Sequence, residues 1–232
     1  EGTAFAVLVK TDPEAQPRHR GMSLFLCEKG PGFAAAKKLK KLGYKSIDSA
    51  ELVFDNHRVG ADRLIGGTEG RGFQQAVGGL ELGRINVAAR GAGIAEGALR
   101  AAVRYAQERK TFGKPIAQHQ AIQLKLADMA TRIEAVRALT ARAAQAVDEN
   151  GPDAELLCNM AKLFASEEIM KVAQHAVELH GGNGIMLDFG IEKYMRDASL
   201  FLHRDATVDI SKFKIVKAMF PHTAGLYAGP ER

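Results

Sequence analysis

Residues 122–147 read IQLKLADMATRIEAVRALTARAAQAV, and the spacing of their apolar members decides the fold. Ile122, Leu126, Met129, Ile133, Val136, Thr140, Ala143 and Val147 follow alternating steps of four and three, one continuous stripe along a single long helix. Such a stripe belongs in a bundle. It is longer than a small monomer needs, so part of it is expected between subunits. Asn150-Gly151 stops the helix, and Pro152-Asp153 suits the first turn of the next, which carries Leu156, Met160, Leu163, Phe164, Met170 and Val177. Upstream, from about Phe73 to Glu108, a further helical stretch contains Gly78, Gly79, Gly83, Gly91, Gly93 and Gly97. Each glycine costs about 1 kcal/mol against alanine inside a helix, so close backbone packing must compensate. Short antiparallel connections then give a four-helix arrangement.

The first sixty residues have a different period. Ala4 to Val9 and Met22 to Cys27 are short apolar runs, Ala50 to Phe54 alternates, and Thr11-Asp12-Pro13 and Gly30-Pro31-Gly32 supply turns. The expected fold class is therefore α+β, a partial antiparallel β-domain followed by an all-α four-helix bundle. Three strands are too few to close a sandwich, and the chain does not begin with Met; both observations imply sequence upstream.

With 232 residues, 46% of them hydrophobic, the chain can bury a sizeable core. No apolar run is long enough to span a bilayer, and no membrane insertion is expected. The net charge of +5, with 6% aromatic residues and no tryptophan, offers no stacking platform for nucleic acid and suits a phosphate-bearing small ligand equally well. Cys27 and Cys158 lie far apart outside any metal-ligand spacing and read as buried thiols of a reducing compartment; no metal site is expected.

Four short segments can carry chemistry. Arg109-Lys110-Thr111-Phe112-Gly113-Lys114-Pro115-Ile116, followed by Gln120, lies between two long helices and offers anion contacts, or is simply a basic loop in water. In Glu178-Leu179-His180-Gly181-Gly182 one glycine would cap a helix; two let another backbone or a ligand approach closely. Glu81 and Arg84 sit three apart on a helix, the spacing of an ordinary surface pair. Asp205, before Ala206-Thr207-Val208-Asp209, is either the N-cap of the last helix or a carboxylate with work to do.

Taken in order, these segments closely resemble the C-terminal half of acyl-CoA dehydrogenases. The resemblance extends from Leu42-Gly43-Tyr44-Lys45-Ser46 and Val53-Phe54-Asp55 through Lys125-Leu126-Ala127-Asp128-Met129 and Tyr194-Met195-Arg196-Asp197-Ala198 to Lys217. It implies that residues 1–62 are the second part of a middle β-domain and residues 63–232 the helical bundle domain. It also implies FAD as cofactor and an acyl-CoA as substrate. Electrons would pass to an electron-transferring flavoprotein, and the assembly would be a homo-oligomer, a dimer of dimers, or a heteromeric complex. The location implied is the bacterial cytoplasm or the mitochondrial matrix, the former favoured.

By that resemblance Arg109 and Gln120 contact the FAD of a neighbouring subunit, with Phe112 beside the flavin. Glu178, His180, Gly181 and Gly182 lie near its adenosine side, Glu178 pointing at a hydroxyl or away, and Thr207 and Asp209 complete the cofactor set. Glu81, Arg84 and Ala206 face the substrate. Where the family usually has Tyr-Glu-Gly-Thr, with glutamate as base, this chain has Arg204-Asp205-Ala206-Thr207. Some relatives supply the base from the position of Gly83, which leaves Asp205 as the one carboxylate at either base position. Nitroalkane oxidases, a related group, use aspartate there, and a non-catalytic assembly subunit is the third reading.

Overall fold

The computed structural model describes residues 2–220, apart from the side chain of Glu81. They form two compact units. One comprises the residues up to Lys41 together with Lys45–Leu80; the other comprises Leu42–Tyr44 and the residues from Glu81 onward.

In the first unit, β1 (Ala4–Lys10) pairs antiparallel with β2 (Met22–Glu28), Ala4 opposite Glu28 and Lys10 opposite Met22. A second antiparallel pair, β3 (Phe33–Lys38) and β4 (Ala50–Phe54), carries a bulge between Ala35 and Lys37. The Phe33 ring lies 5.3 Å from Phe5 and 5.4 Å from Phe54, centroid to centroid, and so joins β1, β3 and β4 through aromatic contact. Ser23, buried on β2, hydrogen-bonds Thr11 Oγ1 at 2.7 Å and accepts from the Gly70 amide at 3.0 Å, which fixes the chain just before the long helix begins.

The bundle consists of α1 (Gly72–Glu108), α2 (Gln120–Asp148), α3 (Ala154–His180) and α5 (Val208–Met219), with the short α4 (Glu192–Ser199) against α3. The expected stripe on α2 is its core face: Met129, Ile133, Val136, Thr140 and Ala143 are buried, while Ile122, Leu126 and Val147 are half-buried. Against it α1 presents alanines, with Ala88, Ala92, Ala95, Ala98, Ala102 and Ala106 all buried. These small side chains bring the helix axes close. The glycines of α1 divide into two groups. A Cβ at Gly91 would meet the Ile169 side chain at 2.7 Å and one at Gly97 the Tyr194 ring at 2.7 Å, whereas Gly78, Gly79 and Gly93 face open space. Close packing therefore accounts for Gly91 and Gly97, as it does for Gly72 against Ser23 and Gly83 against Asp205, but not for the other three.

Between α1 and α2 runs a tight hairpin, β5 (Lys110–Thr111) and β6 (Lys114–Pro115), turned by Phe112 at φ 51° and Gly113 at φ 79°. Two successive positive φ values are what a two-residue hairpin turn requires. Asn150, at φ 50°, ends α2 as expected.

Candidate active site

The helices gather the residues singled out in the sequence at two ends of the bundle. At the first, Asp205 lies two residues before the N-cap of α5. That cap is Thr207, whose Oγ1 accepts the Ile210 amide at 3.4 Å. The N-cap reading of Asp205 is thus corrected: the cap belongs to Thr207, and the aspartate carboxylate is left for other work. Asp205 and Ala206 are both left-handed, at φ 49° and 89°. The second value lies outside the well that alanine normally visits. This turn lays the carboxylate against α1, where a Cβ on Gly83 would stand 3.1 Å from Oδ2. Gly83 makes room for the carboxylate.

Two buried cations surround this point. Arg84, only 3% exposed, has its Nε and one terminal nitrogen without a hydrogen-bond partner. Lys162 on α3, fully buried, donates from Nζ to the Ala206 carbonyl at 2.6 Å. Burial pushes the Lys162 ammonium below its usual range; the Asp205 charge opposes that shift and Arg84 adds to it. One turn on from Lys162, Ser166 donates to the Phe201 carbonyl at 2.8 Å. The sequence reading missed Lys162 because most lysines are surface residues, yet a signal was there: Asn159, Lys162 and Ser166 interrupt an apolar face at helical spacing.

Leu42–Tyr44 is tied to the same region. The Tyr44 amide donates to Asp197 Oδ1 at 2.7 Å, Arg196 donates to the Leu42 carbonyl at 3.1 Å, and Lys193 pairs with Asp197 at 2.7 Å. Arg196 and Asp197 therefore anchor a strap. The Tyr44 ring lies 5.9 Å from that of Phe201, and the Arg204 guanidinium lies over the Tyr44 ring at 5.3 Å. Ala206 is half-buried, Thr207 and Asp209 are exposed, and Asp209 sits 3.8 Å from Lys212. Backbone geometry puts Glu81 in α1; its side chain lies outside the described residues.

The second end gathers the remaining predicted residues. Arg109, Phe112 and Gln120 project from the hairpin and the first turn of α2 into solvent, Phe112 at 96% exposure. Among the described residues the Arg109 and Gln120 side chains have no hydrogen-bond or ion-pair partner. His180 is buried, stacks on Tyr105 at 4.0 Å and bonds through Nδ1 to the Ala176 carbonyl at 2.7 Å. Burial holds its pKa below the usual histidine range, the Ala176 bond opposing and Arg104 reinforcing the shift. Glu178 turns to Lys125 at 2.6 Å and Gln174 at 2.9 Å, and these bonds hold its carboxyl below the ordinary range. Gly181, at φ 58°, ends α3, and side chains added there or at Gly182 would meet nothing within 4 Å.

At 1.5 Å per residue, the 24 steps of α1 from Arg84 to Glu108 span about 36 Å, and the 18 steps of α3 from Lys162 to His180 about 27 Å. One chain cannot fold its hairpin onto its own Asp205.

A family model described as the acyl-CoA dehydrogenase C-terminal domain matches residues 70–210. The chain is 44% identical to an acyl-CoA dehydrogenase of Bacillus subtilis over 90% of its own length and 54% of that protein's. It is 41% identical to a cyclohex-1-ene-1-carbonyl-CoA dehydrogenase of Geobacter metallireducens over 93% of this chain and 56% of the relative. The solved butyryl-CoA dehydrogenase of Megasphaera elsdenii superposes with a TM-score of 0.88 at 36% identity, over 94% of this chain and 56% of that one. The chain thus spans about half the length of the curated relatives it matches.

Proposed function

The chain belongs to the acyl-CoA dehydrogenase family, and on that premise we propose that it serves the FAD-dependent α,β-oxidation of an acyl-CoA thioester, with Asp205 taking the α-proton. The observation that carries this reading is the freedom of the Asp205 carboxylate, which caps nothing and lies in a glycine-made space beside two buried cations. In the reaction both the Cα–H and the Cβ–H bond break and a carbon–carbon double bond forms. Bound FAD would supply the acceptor for the hydride leaving Cβ. The proton goes to an oxygen of Asp205, whose left-handed backbone sets the direction of approach. Aspartate reaches roughly 1.5 Å less far than glutamate, and Gly83 offers the compensating depth on the opposite wall. The unpartnered donors of Arg84 fit an acceptor oxygen on the substrate side, where Ala206 and Glu81 are also assigned.

The residues at the second end fit a dinucleotide. Arg109 keeps an exposed, unpaired guanidinium suited to phosphate, Gln120 an unpaired amide, and Gly181-Gly182 a bare backbone. Phe112 offers an exposed ring beside them, edge-on to His119 at 6.1 Å. Since about 36 Å of helix separates this end from Asp205, these residues serve a cofactor held largely by another subunit, in an oligomer of like chains. Leu124, Ile185 and Leu187, which are 65%, 71% and 75% exposed, support such an interface. His180 supports this end from within, since both its ring and its Nδ1 are engaged. Thr207 and Asp209 lie at the Asp205 end and would meet the cofactor there. An electron-transferring flavoprotein as acceptor of the electrons, and a bacterial cytoplasmic or matrix location, rest on family membership alone.

Anaerobic stopped-flow flavin reduction of the assembled holoenzyme, with a panel of acyl-CoAs and nitroalkanes, tests the proposal. Asp205→Asn should slow reduction by about 10²- to 10⁴-fold while leaving acyl-CoA binding intact. Asp205→Glu should keep activity on acyl-CoA. An Asn variant as fast as the parent would falsify the assignment, and reduction by nitroalkanes alone would move it to the oxidase group.

A further inference from the structure

We propose that Lys162 is the positioning residue of this site: by gripping the Ala206 carbonyl it holds the left-handed turn that aims Asp205, and turnover depends on that grip. The proposal rests on the reading of Asp205 as proton acceptor. Its physical basis is a backbone that would not stay in place unaided. Asp205 at φ 49° lies within the left-handed well, but Ala206 at φ 89° lies beyond it, and alanine has no side-chain hydrogen bond to offset the strain. Such a turn persists only where its surroundings over-determine it.

The over-determination comes from α3. Lys162 Nζ donates to the Ala206 carbonyl at 2.6 Å, and Ser166, one turn later on the same face, donates to the Phe201 carbonyl at 2.8 Å. These two buried donors hold both ends of the segment Phe201–Ala206 to one rigid helix. A charged donor makes the stronger bond, and it is the one placed next to the aspartate. Burying an ammonium is unfavourable, as the lowered pKa of Lys162 records, with Asp205 from the loop and Arg84 from α1 the charges that face it. A lysine retained there at that cost, with a backbone carbonyl as its hydrogen-bond partner, points to the carbonyl's geometry as its purpose.

The test is a cycle at positions 162 and 206 in the assembled holoenzyme. Lys162→Met should lower the rate of flavin reduction about 30- to 100-fold while changing KM for the acyl-CoA less than about threefold, the pattern of a misplaced base. In an Ala206→Gly background, where positive φ carries no strain, the same substitution should cost less than about fivefold. The second readout needs neither cofactor nor substrate. Amide hydrogen exchange at Arg204 and Ser211, the hydrogen-bonded amides on either side of the turn, should speed up at least about tenfold in Lys162→Met, with α2 and the core of α3 unchanged. Lys162→Gln, which keeps a shorter donor, should fall between and carries the comparison if the Met variant does not assemble.

An equal penalty in both backgrounds, or unchanged exchange at Arg204 and Ser211, overturns the proposal. The exchange result does not depend on catalysis. If Asp205→Asn proves fully active while Lys162→Met still loosens the turn, the base assignment has failed and the grip stands; if the Asn variant is dead and the turn is indifferent to Lys162, the reverse holds.

Discussion

The two ends of the bundle solve opposite problems. Around Asp205 polar groups are buried and crowded, with Lys162 and Arg84 both hidden from water and two Arg84 nitrogens unsatisfied. Around the hairpin, Arg109, Gln120 and Phe112 stand in water, the first two with no side-chain hydrogen-bond partner among the described residues and the third meeting only the His119 ring, edge-on at 6.1 Å. Under the proposed function, the first end stores unfavourable interactions for a substrate to relieve, and the second stores surface for a partner and cofactor to cover. Stability and function should therefore separate differently at each.

After Asp205 itself, the largest effect is expected at Arg84. Arg84→Met should reduce flavin reduction about a hundredfold by removing an acceptor's partner, yet leave the fold unharmed or stabilise it by about 1–3 kcal/mol, because buried unsatisfied donors are costly. Paired urea unfolding and stopped-flow measurements decide this. A variant that loses stability along with activity would show Arg84 to be a structural member of the core and would erase the contrast between the ends.

Between the ends, α1 must stay close to α4, and a pair of its glycines reports on that. Gly97→Ala should cost about 1–3 kcal/mol, since its Cβ would press on the half-buried Tyr194 ring. Gly93→Ala, into open space, should instead stabilise by about 0.5–1 kcal/mol through helix propensity. Thermal unfolding of the two variants checks the sign of each. Equal effects would mean that α1 does not approach its neighbours as closely as its alanine face implies.

At the hairpin end the separation should run the other way. Arg109→Ala should leave unfolding within about 0.5 kcal/mol of the parent, while FAD retained after gel filtration of the oligomer falls about tenfold, the order expected for losing one charge-assisted contact. Mixing these subunits with Asp205→Asn subunits sharpens the point. If the hairpin serves a neighbour's cofactor, some mixed sites pair an intact Arg109 with an intact Asp205 and recover turnover. Turnover that never exceeds the sum of the two parents would place both residues in one chain's site.

Most of the fold was legible because it is carried by helix periodicity. The stripe from Ile122 to Val147, the stop at Asn150 and the limits of α1 follow from spacing and turn residues, which act locally. Strand β3 was not legible. Phe33-Ala34-Ala35-Ala36-Lys37-Lys38 has neither alternation nor β-branched residues, and only its pairing with β4 makes it a strand. The site shows the same division. Asp205 and Ala206 stand out locally, just before the last helix, but Lys162 joins them through a tertiary contact 44 residues away in sequence, and Tyr44 arrives from 153 residues before Asp197. The choice of Thr207 over Asp205 as N-cap turned on φ values that no local propensity dictates.

The smallest expected effect concerns the buried side of the hairpin end. His180 has its pKa lowered in the folded chain by burial, so below the ordinary histidine range near 6.5 the unfolded chain binds a proton that the native state refuses. Stability contributed by the neutral ring is therefore complete above about pH 6.5 and is lost as pH falls through that value towards the lower, folded pKa. His180→Phe keeps a ring to stack on Tyr105 but cannot titrate, so the slope of unfolding free energy against pH should flatten in this window. The change cannot exceed about 1.4 kcal/mol per pH unit, the limit for one proton. Because Phe also gives up the bond to the Ala176 carbonyl, absolute stability should drop by about 1 kcal/mol at pH 8 while the slope alone reports the titration. Glu178, close by but paired with Lys125 and Gln174, has its carboxyl lowered and loses its contribution only at still more acidic pH. A slope between pH 5 and 7 that is the same in parent and variant would mean that the ring can take up a proton where it lies, and that this end of the bundle is as open to water within as it is at its hairpin.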